Sequence, residues 1–255
     1  MKFMDGMFTG CLPRDDKLGS QFPVFEDIER PIPRNEWEGI IAERAPLRPL
    51  VQRIKEQQYG SCASHATTQA FEIAWCMAYG VEDWIEFSPM AIYPHVSSRA
   101  NSGSTIGDNM RYITQSGLVP VPGGEPFLER AGIPIYVRGE NDYYGRFPSG
   151  WQDTAKHFRA AEVFDVASVE GLVTGLLMGF PAVVGRSGHA ICYVDPMMDG
   201  NRLSFRYANS WSPQWGDDGF GIDQESAISR AIPSYGAFLI RTPWMNDTFL
   251  NLMRN

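Results

Sequence analysis

The stretch "IKEQQYGSCASHATTQAF", Ile54 to Phe71, decides the reading of this chain. Cys62 follows Gly60-Ser61, has Gln57 and Gln58 just upstream, and opens an Ala-rich run, "CASHATTQAFEIAWCMAYG", with apolar residues at helical spacing (Ala66, Ala70, Ile73, Ala74, Met77). Ser61 is a plausible N-cap and Gly80 a stop, so the spacing predicts a helix from Ser61 or Cys62 to Gly80. A free cysteine is most often an inert core residue. One at a helix N-terminus is different, because the positive end of the helix dipole favours the thiolate, which is the nucleophile. Gly60 would allow a tight turn into the helix. The amide of Gln57 or Gln58, together with the Cys62 N–H, could bind an oxyanion.

A thiolate nucleophile needs an imidazole partner, itself oriented by a third group. Of four histidines, His65 lies on the same helix with no evident orienter and reads as a packed or hydrogen-bonded residue. His95 and His157 sit in polar, helix-like surroundings and read as surface or satisfied residues. His189 follows Gly188 and opens an apolar strand, "GHAICYV". A strand end is a rigid place from which to aim a ring. "YANSWSPQWGDDGFG" then offers Asn209 as acceptor for a ring nitrogen, Trp211 as cover over that bond, and Trp215 as a cleft wall. Taken alone, this last stretch could equally be a Gly-rich hairpin with packed tryptophans.

Outward from these motifs, the grammar of the chain changes once. Residues 1 to about 50 are rich in Pro and charge and are expected to form an extended arm over the body. Helices are expected after Ser88-Pro89 and over "TIGDNMRYITQSG", closing on Gly117. Residues 118–150 read as loops plus a strand, "IPIYV". Beyond a short helix, "VEGLVTGLLMG", the segments "PAVVG", "HAICYVD", "RLSFRYAN" and "GAFLIRTP" are β-rich. Helices first and strands second imply an α+β protein. A chain of 255 residues, 44% hydrophobic, is long enough to bury one large core. Its net charge of -8, with no Lys/Arg-rich block, excludes a nucleic-acid or anionic-membrane surface. Four widely spaced cysteines (Cys11, Cys62, Cys76, Cys192) form no zinc pattern. They are expected to be reduced thiols, with Cys76 and Cys192 in the core and Cys11 exposed in the arm. No export signal and no membrane-spanning run is read, so a reducing compartment such as the cytoplasm is expected. No metal or cofactor is called for.

Together, "IKEQQYGSCASHA", "GHAICYVD" and "NSWSPQWGDDGFG" resemble the papain-like cysteine peptidase family. His189 lies 127 residues after Cys62 and Asn209 lies 147 after it, compatible with that family's spacing. The resemblance covers about Leu47 to Pro243. It implies a papain-like, two-lobed fold: an arm over 1–46, then a catalytic unit over 47–250. That unit would have a helical lobe at about 51–117, a β-rich, barrel-like lobe at about 118–250, and the cleft between. It implies Cys62 as nucleophile, His189 as general base and acid, Asn209 as orienter and Gln57 as oxyanion donor, with Gln58 the alternative. Trp211 would shield the His–Asn bond, Trp215 would line the leaving-group side, and Gly103 and Ser104 would sit at the rim where substrate backbone binds. The implied reaction is hydrolysis of a peptide or protein through a thioester. Another acyl transfer on the same triad, and an inactive binding module, stay open.

The departures are equally specific. Tyr59 stands where the family often has a disulfide-forming cysteine, Ala63 replaces an aromatic residue, and Ser212-Pro213 replaces a glycine. The run from Pro181 to His189 is short, which trims one wall of the cleft. Only about 50 residues precede the cysteine segment, so no long inhibitory propeptide is read. These features are similar to divergent bacterial and phage-encoded members.

Overall fold

The computed structural model describes residues 10–15, 21–97, 101–121, 147 and 149–244. The expected strand at "IPIYV" lies outside them, as do parts of the N-terminal arm. Helices α1 (Arg34–Glu43), α2 (Cys62–Tyr79), α3 (Tyr93–Val96), α4 (Ile106–Gln115) and α5 (Trp151–Ala155) precede β1 (Arg159–Asp165). Then come α6 (Val169–Leu177), β2 (Ala182–Arg186), β3 (His189–Asp199), β4 (Arg202–Ala208), β5 (Phe220–Gln224), α7 (Glu225–Tyr235) and β6 (Ala237–Trp244).

The six strands make one antiparallel sheet in the order β1-β6-β2-β3-β4-β5. The chain is α+β, as its grammar implies. The barrel-like expectation is corrected: β1 and β5 end the sheet, which stays open among the described residues. Its strands supply both neighbouring cores. On one face Val183, Ala190, Cys192 and Ala208 pack with Phe71 and Trp75 of α2 and with Ile106 and Met110 of α4. On the other Val184, Ile191, Tyr193 and Phe205 pack with Trp37 of α1, Leu172 and Leu176 of α6 and Ile228 of α7. Helices covering both faces explain why β3 reads as a continuous apolar run from Ala190 to Val194.

Helix α2 is buried along its whole length from Cys62 to Cys76, as suits an Ala-rich helix with no continuous polar face. Its one acidic residue in that span, Glu72, is therefore forced inside and must be paired. Lys55 supplies the partner, its Nζ 2.9 Å from Glu72 Oε1 and 3.3 Å from Glu86 Oε1, with both Lys55 and Glu72 buried. The Phe87 N–H also donates to Glu72, at 2.7 Å. Burial still dominates and lifts the Glu72 carboxyl to about 7. Lys55→Met leaves the buried Glu72 without its cation, while Glu86 keeps Arg53 at 2.7 Å, and is expected to cost roughly 3–5 kcal/mol in denaturant unfolding. Lys55→Met with Glu72→Gln together should recover part of that loss.

Three expectations about the arm and the helix start are revised. Arg34–Glu43 is α-helical and not extended, anchored by the fully buried Trp37, whose Nε1 donates to Ile32 O at 2.8 Å. Cys11 is buried, not exposed. Ser61 does occupy the N-cap position, but its side chain makes no capping bond.

Candidate active site

Three elements converge on Cys62. Helix α2 begins at it, and α2 packs along β3, which begins at His189. Asn209 follows directly on β4, its N–H donating to Gly219 O at 2.9 Å. The strand register pairs Cys192 with Ala208, and this brings the end of β4 beside the start of β3. The turn before His189 is two residues long, Ser187 (φ 48°) and Gly188 (φ 79°). Both lie in the left-handed region, as a tight hairpin turn requires. The short Pro181–His189 run is therefore strand plus minimal turn.

His189 Nε2 lies 2.8 Å from Asn209 Oδ1. Asn209 Oδ1 also accepts from the Ser210 N–H at 2.9 Å, which fixes the amide with its oxygen toward the ring. Trp211 stacks on the imidazole at 4.7 Å and 25°. Trp215 packs edge-on against Trp211, 5.4 Å away. The sulfur of Cys62 is approached by backbone groups of Ala190, Gly10, Ala63 and Cys62 itself. These favour the thiolate, but full burial outweighs them and pushes the thiol up from its ordinary value. The helix dipole favours the thiolate, but the cover over the thiol outweighs it.

Gln57 and Gln58 part company. Gln57 is buried, its N–H donates to Ser210 O at 2.9 Å, and Glu56 pairs with Trp211. Ser210 Oγ donates to Gln57 Oε1, which leaves the amide nitrogen on the Tyr59 side, 2.9 Å from Tyr59 O. Gln58 points to solvent. His65 Nδ1 makes a 3.0 Å bond to Ser61 O one turn back, the packed role expected of it. His95 is exposed and stacks on Tyr112 at 5.2 Å.

What covers the thiol is the chain itself, which the sequence did not reveal. Gly10 to Arg14 runs along the expected substrate rim. Ser104 N donates to Gly10 O at 2.7 Å, Leu12 N donates to Ser104 O at 3.0 Å, and Cys11 N donates to Gly188 O at 2.9 Å. Cys11 pairs in parallel with Ser104. Its sulfur faces the space beside Gly185, Ile106 and Tyr235. Gly10 can be only glycine there, since a Cβ would stand 1.8 Å from Gly60 O. Gly103 meets the same segment, its missing Cβ 2.3 Å from Gly10 O, and it also has φ 82°. Gly60 is needed less for its own turn than for the approach of Gly10 and the Tyr93 hydroxyl. Further along, Arg14 N donates to Ser234 O at 3.1 Å, and the Arg14 guanidinium pairs with Asp165 at 2.7 Å. Ser104 is held in turn by Asn109 of α4, whose Nδ2 donates to Ser104 Oγ at 2.8 Å.

No protein-family model and no curated protein sequence matches the chain. Solved structures do. Xylellain, a cysteine protease from Xylella fastidiosa, aligns with a TM-score of 0.65 at 19% identity, over 92% of this chain and 96% of its own. Procathepsin L2 proteinase from the larval midgut of Tenebrio molitor gives 0.62 at 18% identity, over 93% and 78%. ProCathepsin B S9 from Trypanosoma congolense gives 0.60 at 14% identity, over 92% and 86%. At these identities the likeness is one of architecture, and it agrees with the order in which the cysteine, histidine and asparagine motifs run: the chain has the papain-like fold of cysteine proteases.

Proposed function

We propose that this protein is a cysteine peptidase, with Cys62 as nucleophile, His189 as general acid and base, Asn209 as orienter and Gln57 as oxyanion donor. The observation that carries the reading is the His189 Nε2 to Asn209 Oδ1 bond of 2.8 Å under the Trp211 ring, with Cys62 at a helix N-terminus and its sulfur met by the backbone of Ala190, the residue after His189. In the reaction, His189 takes the thiol proton and the thiolate attacks a peptide carbonyl. The Cys62 N–H and the Gln57 amide stabilise the oxyanion. His189 then protonates the leaving amine, and water releases the acyl group from the thioester. Trp211 keeps water from the His–Asn bond, Trp215 borders the leaving-group side, and Gly103 and Ser104 offer backbone groups to an extended peptide. Gln58, which points to solvent, is the weaker oxyanion candidate.

The resting chain holds this site closed. The Gly10–Arg14 segment takes the rim groups that a substrate would use, and it buries the sulfur. Burial favours the neutral thiol, so lifting the segment would both expose Cys62 and lower its pKa. The reading therefore divides the chain into a covering segment within 1–46 and a catalytic unit over 47–250.

The test is alkylation of the Gly10→Val variant, whose covering segment cannot close, by chloroacetamide at neutral pH followed by peptide mapping. Modification confined to Cys62 and slowed at least tenfold by His189→Ala is expected of an activated pair. Equal, slow labelling of Cys11, Cys62, Cys76 and Cys192, indifferent to that substitution, would favour a binding module instead.

A further inference from the structure

The two residues that flank the Ser187–Gly188 turn are Arg186 and His189, and they are directly paired between β2 and β3. Paired residues on antiparallel strands share a face, with Cβ atoms about 4.5–5.5 Å apart. On that face a chain of contacts leaves one residue and returns to the other. His189 stacks on Trp211 at 4.7 Å, Trp211 meets Trp215 at 5.4 Å, and Trp215 lies 6.0 Å from Tyr207 at 32°. Arg186 completes the loop, its Cζ 5.5 Å from the Tyr207 ring centroid and its Nη2 3.2 Å from the Tyr207 hydroxyl. Behind it stands Asp223, buried, with Oδ2 2.9 Å from Arg186 Nε and accepting from the Tyr193 hydroxyl.

We infer that Arg186, neutralised by Asp223, is a positioning residue for His189: it fixes the turn that carries the ring and sets the charge that the ring meets across the hairpin. The inference rests on His189 being the acid–base group of the proposed reaction. A guanidinium is always charged, and an unbalanced one facing an imidazole disfavours the imidazolium. The site needs that imidazolium beside a thiolate. Asp223 offsets the guanidinium, so the pair can grip the turn without emptying the charge from His189. Among the described residues, Cys62 on α2 meets the backbone of Ala190, Cys11 on the covering segment meets that of Gly188, and Tyr193 and Tyr207 are the titratable groups of the sheet beside Arg186 and Asp223. Glu56 lies opposite Trp211, and Lys55 and His65 line the small cavity behind Asn209. None of them is altered in the test.

The test reads the titration of His189 in the full chain by NMR, with carbon-labelled histidine; only four histidines contribute, and His189→Gln assigns the signal. Asp223→Asn leaves Arg186 unbalanced and should lower the His189 midpoint by about half a pH unit or more. Arg186→Gln removes the cation and leaves Asp223, so the midpoint should rise by a similar amount. Arg186→Lys keeps the charge and should stay near the parent value. If Asp223→Asn does not fold, the Gln and Lys variants of Arg186 decide between them. A purely structural Arg186 would lower the melting temperature in all variants and leave the midpoint in place, and that result overturns the inference, as does a shift of the same sign in Asp223→Asn and Arg186→Gln. The readout needs no catalysis, so failure here is distinguishable from failure of the peptidase assignment, which the alkylation experiment decides.

Discussion

Gly10→Val is expected to speed chloroacetamide labelling of Cys62 by about a hundredfold. A side chain at position 10 has no room, because even its Cβ would fall 1.8 Å from the Gly60 carbonyl oxygen. The segment must therefore lift, and it loses three backbone hydrogen bonds, to Ser104 twice and to Gly188 once. At about 1 kcal/mol each, these sum to roughly 3 kcal/mol, or about two powers of ten in the closed-to-open ratio. Arg14→Ala removes the Asp165 pair, whose arginine is partly exposed, and leaves the three backbone bonds in place, so it should give a smaller rise, about threefold to tenfold. The rate constant of labelling with mapping at Cys62 is the measurement. An unchanged rate in Gly10→Val would mean that the segment does not guard the thiol.

Cys62→Ala in the Gly10→Val background should abolish hydrolysis of fluorescently labelled, denatured casein, a fall of at least about a thousandfold in kcat/KM. The nucleophile has no substitute within the site: Cys11 belongs to the segment that has been lifted, and Cys76 and Cys192 are buried with thiols pushed up by desolvation, Cys76 to about 12. Gln57→Ala should lose less, about a hundredfold, because the Cys62 N–H still meets the oxyanion. The melting temperature of Cys62→Ala should change little, since a small buried thiol is replaced by a methyl group. Casein hydrolysis that survives Cys62→Ala would show that the chemistry lies elsewhere.

Local features of the chain were readable wherever the sequence carries a local signal. The bounds of α2 follow from Ser61 and Gly80, and α4 from Thr105, whose hydroxyl accepts the Asp108 N–H, and Gly117 at φ 86°. His189 is legible as the first residue of a strand because Gly188 must precede it in the turn. Helix α7 carries Pro233 in its last turn, where the missing N–H costs one hydrogen bond close to the helix end, and no expectation covers it. Helix α1 hides between prolines and shows itself only through Trp37, which the sheet and α6 bury. The covering of Cys62 was not legible at all. It depends on Gly10 meeting Gly60 and Gly103, contacts between residues 50 and more apart, and no periodicity records them. The same reason explains Cys11, which looks exposed in a Pro-rich arm and lies buried against Gly185.

The glycine at position 10 carries one more consequence. A sulfur with no access to solvent has no access to peroxide either, so on the proposed reading the segment that would withhold Cys62 from peptides would also shelter it from oxidation to sulfenic and sulfinic acid. Shelf life and readiness would then share a single equilibrium: each moment of opening that admitted a substrate would also admit an oxidant, and a looser cover would give a faster protein that ages sooner.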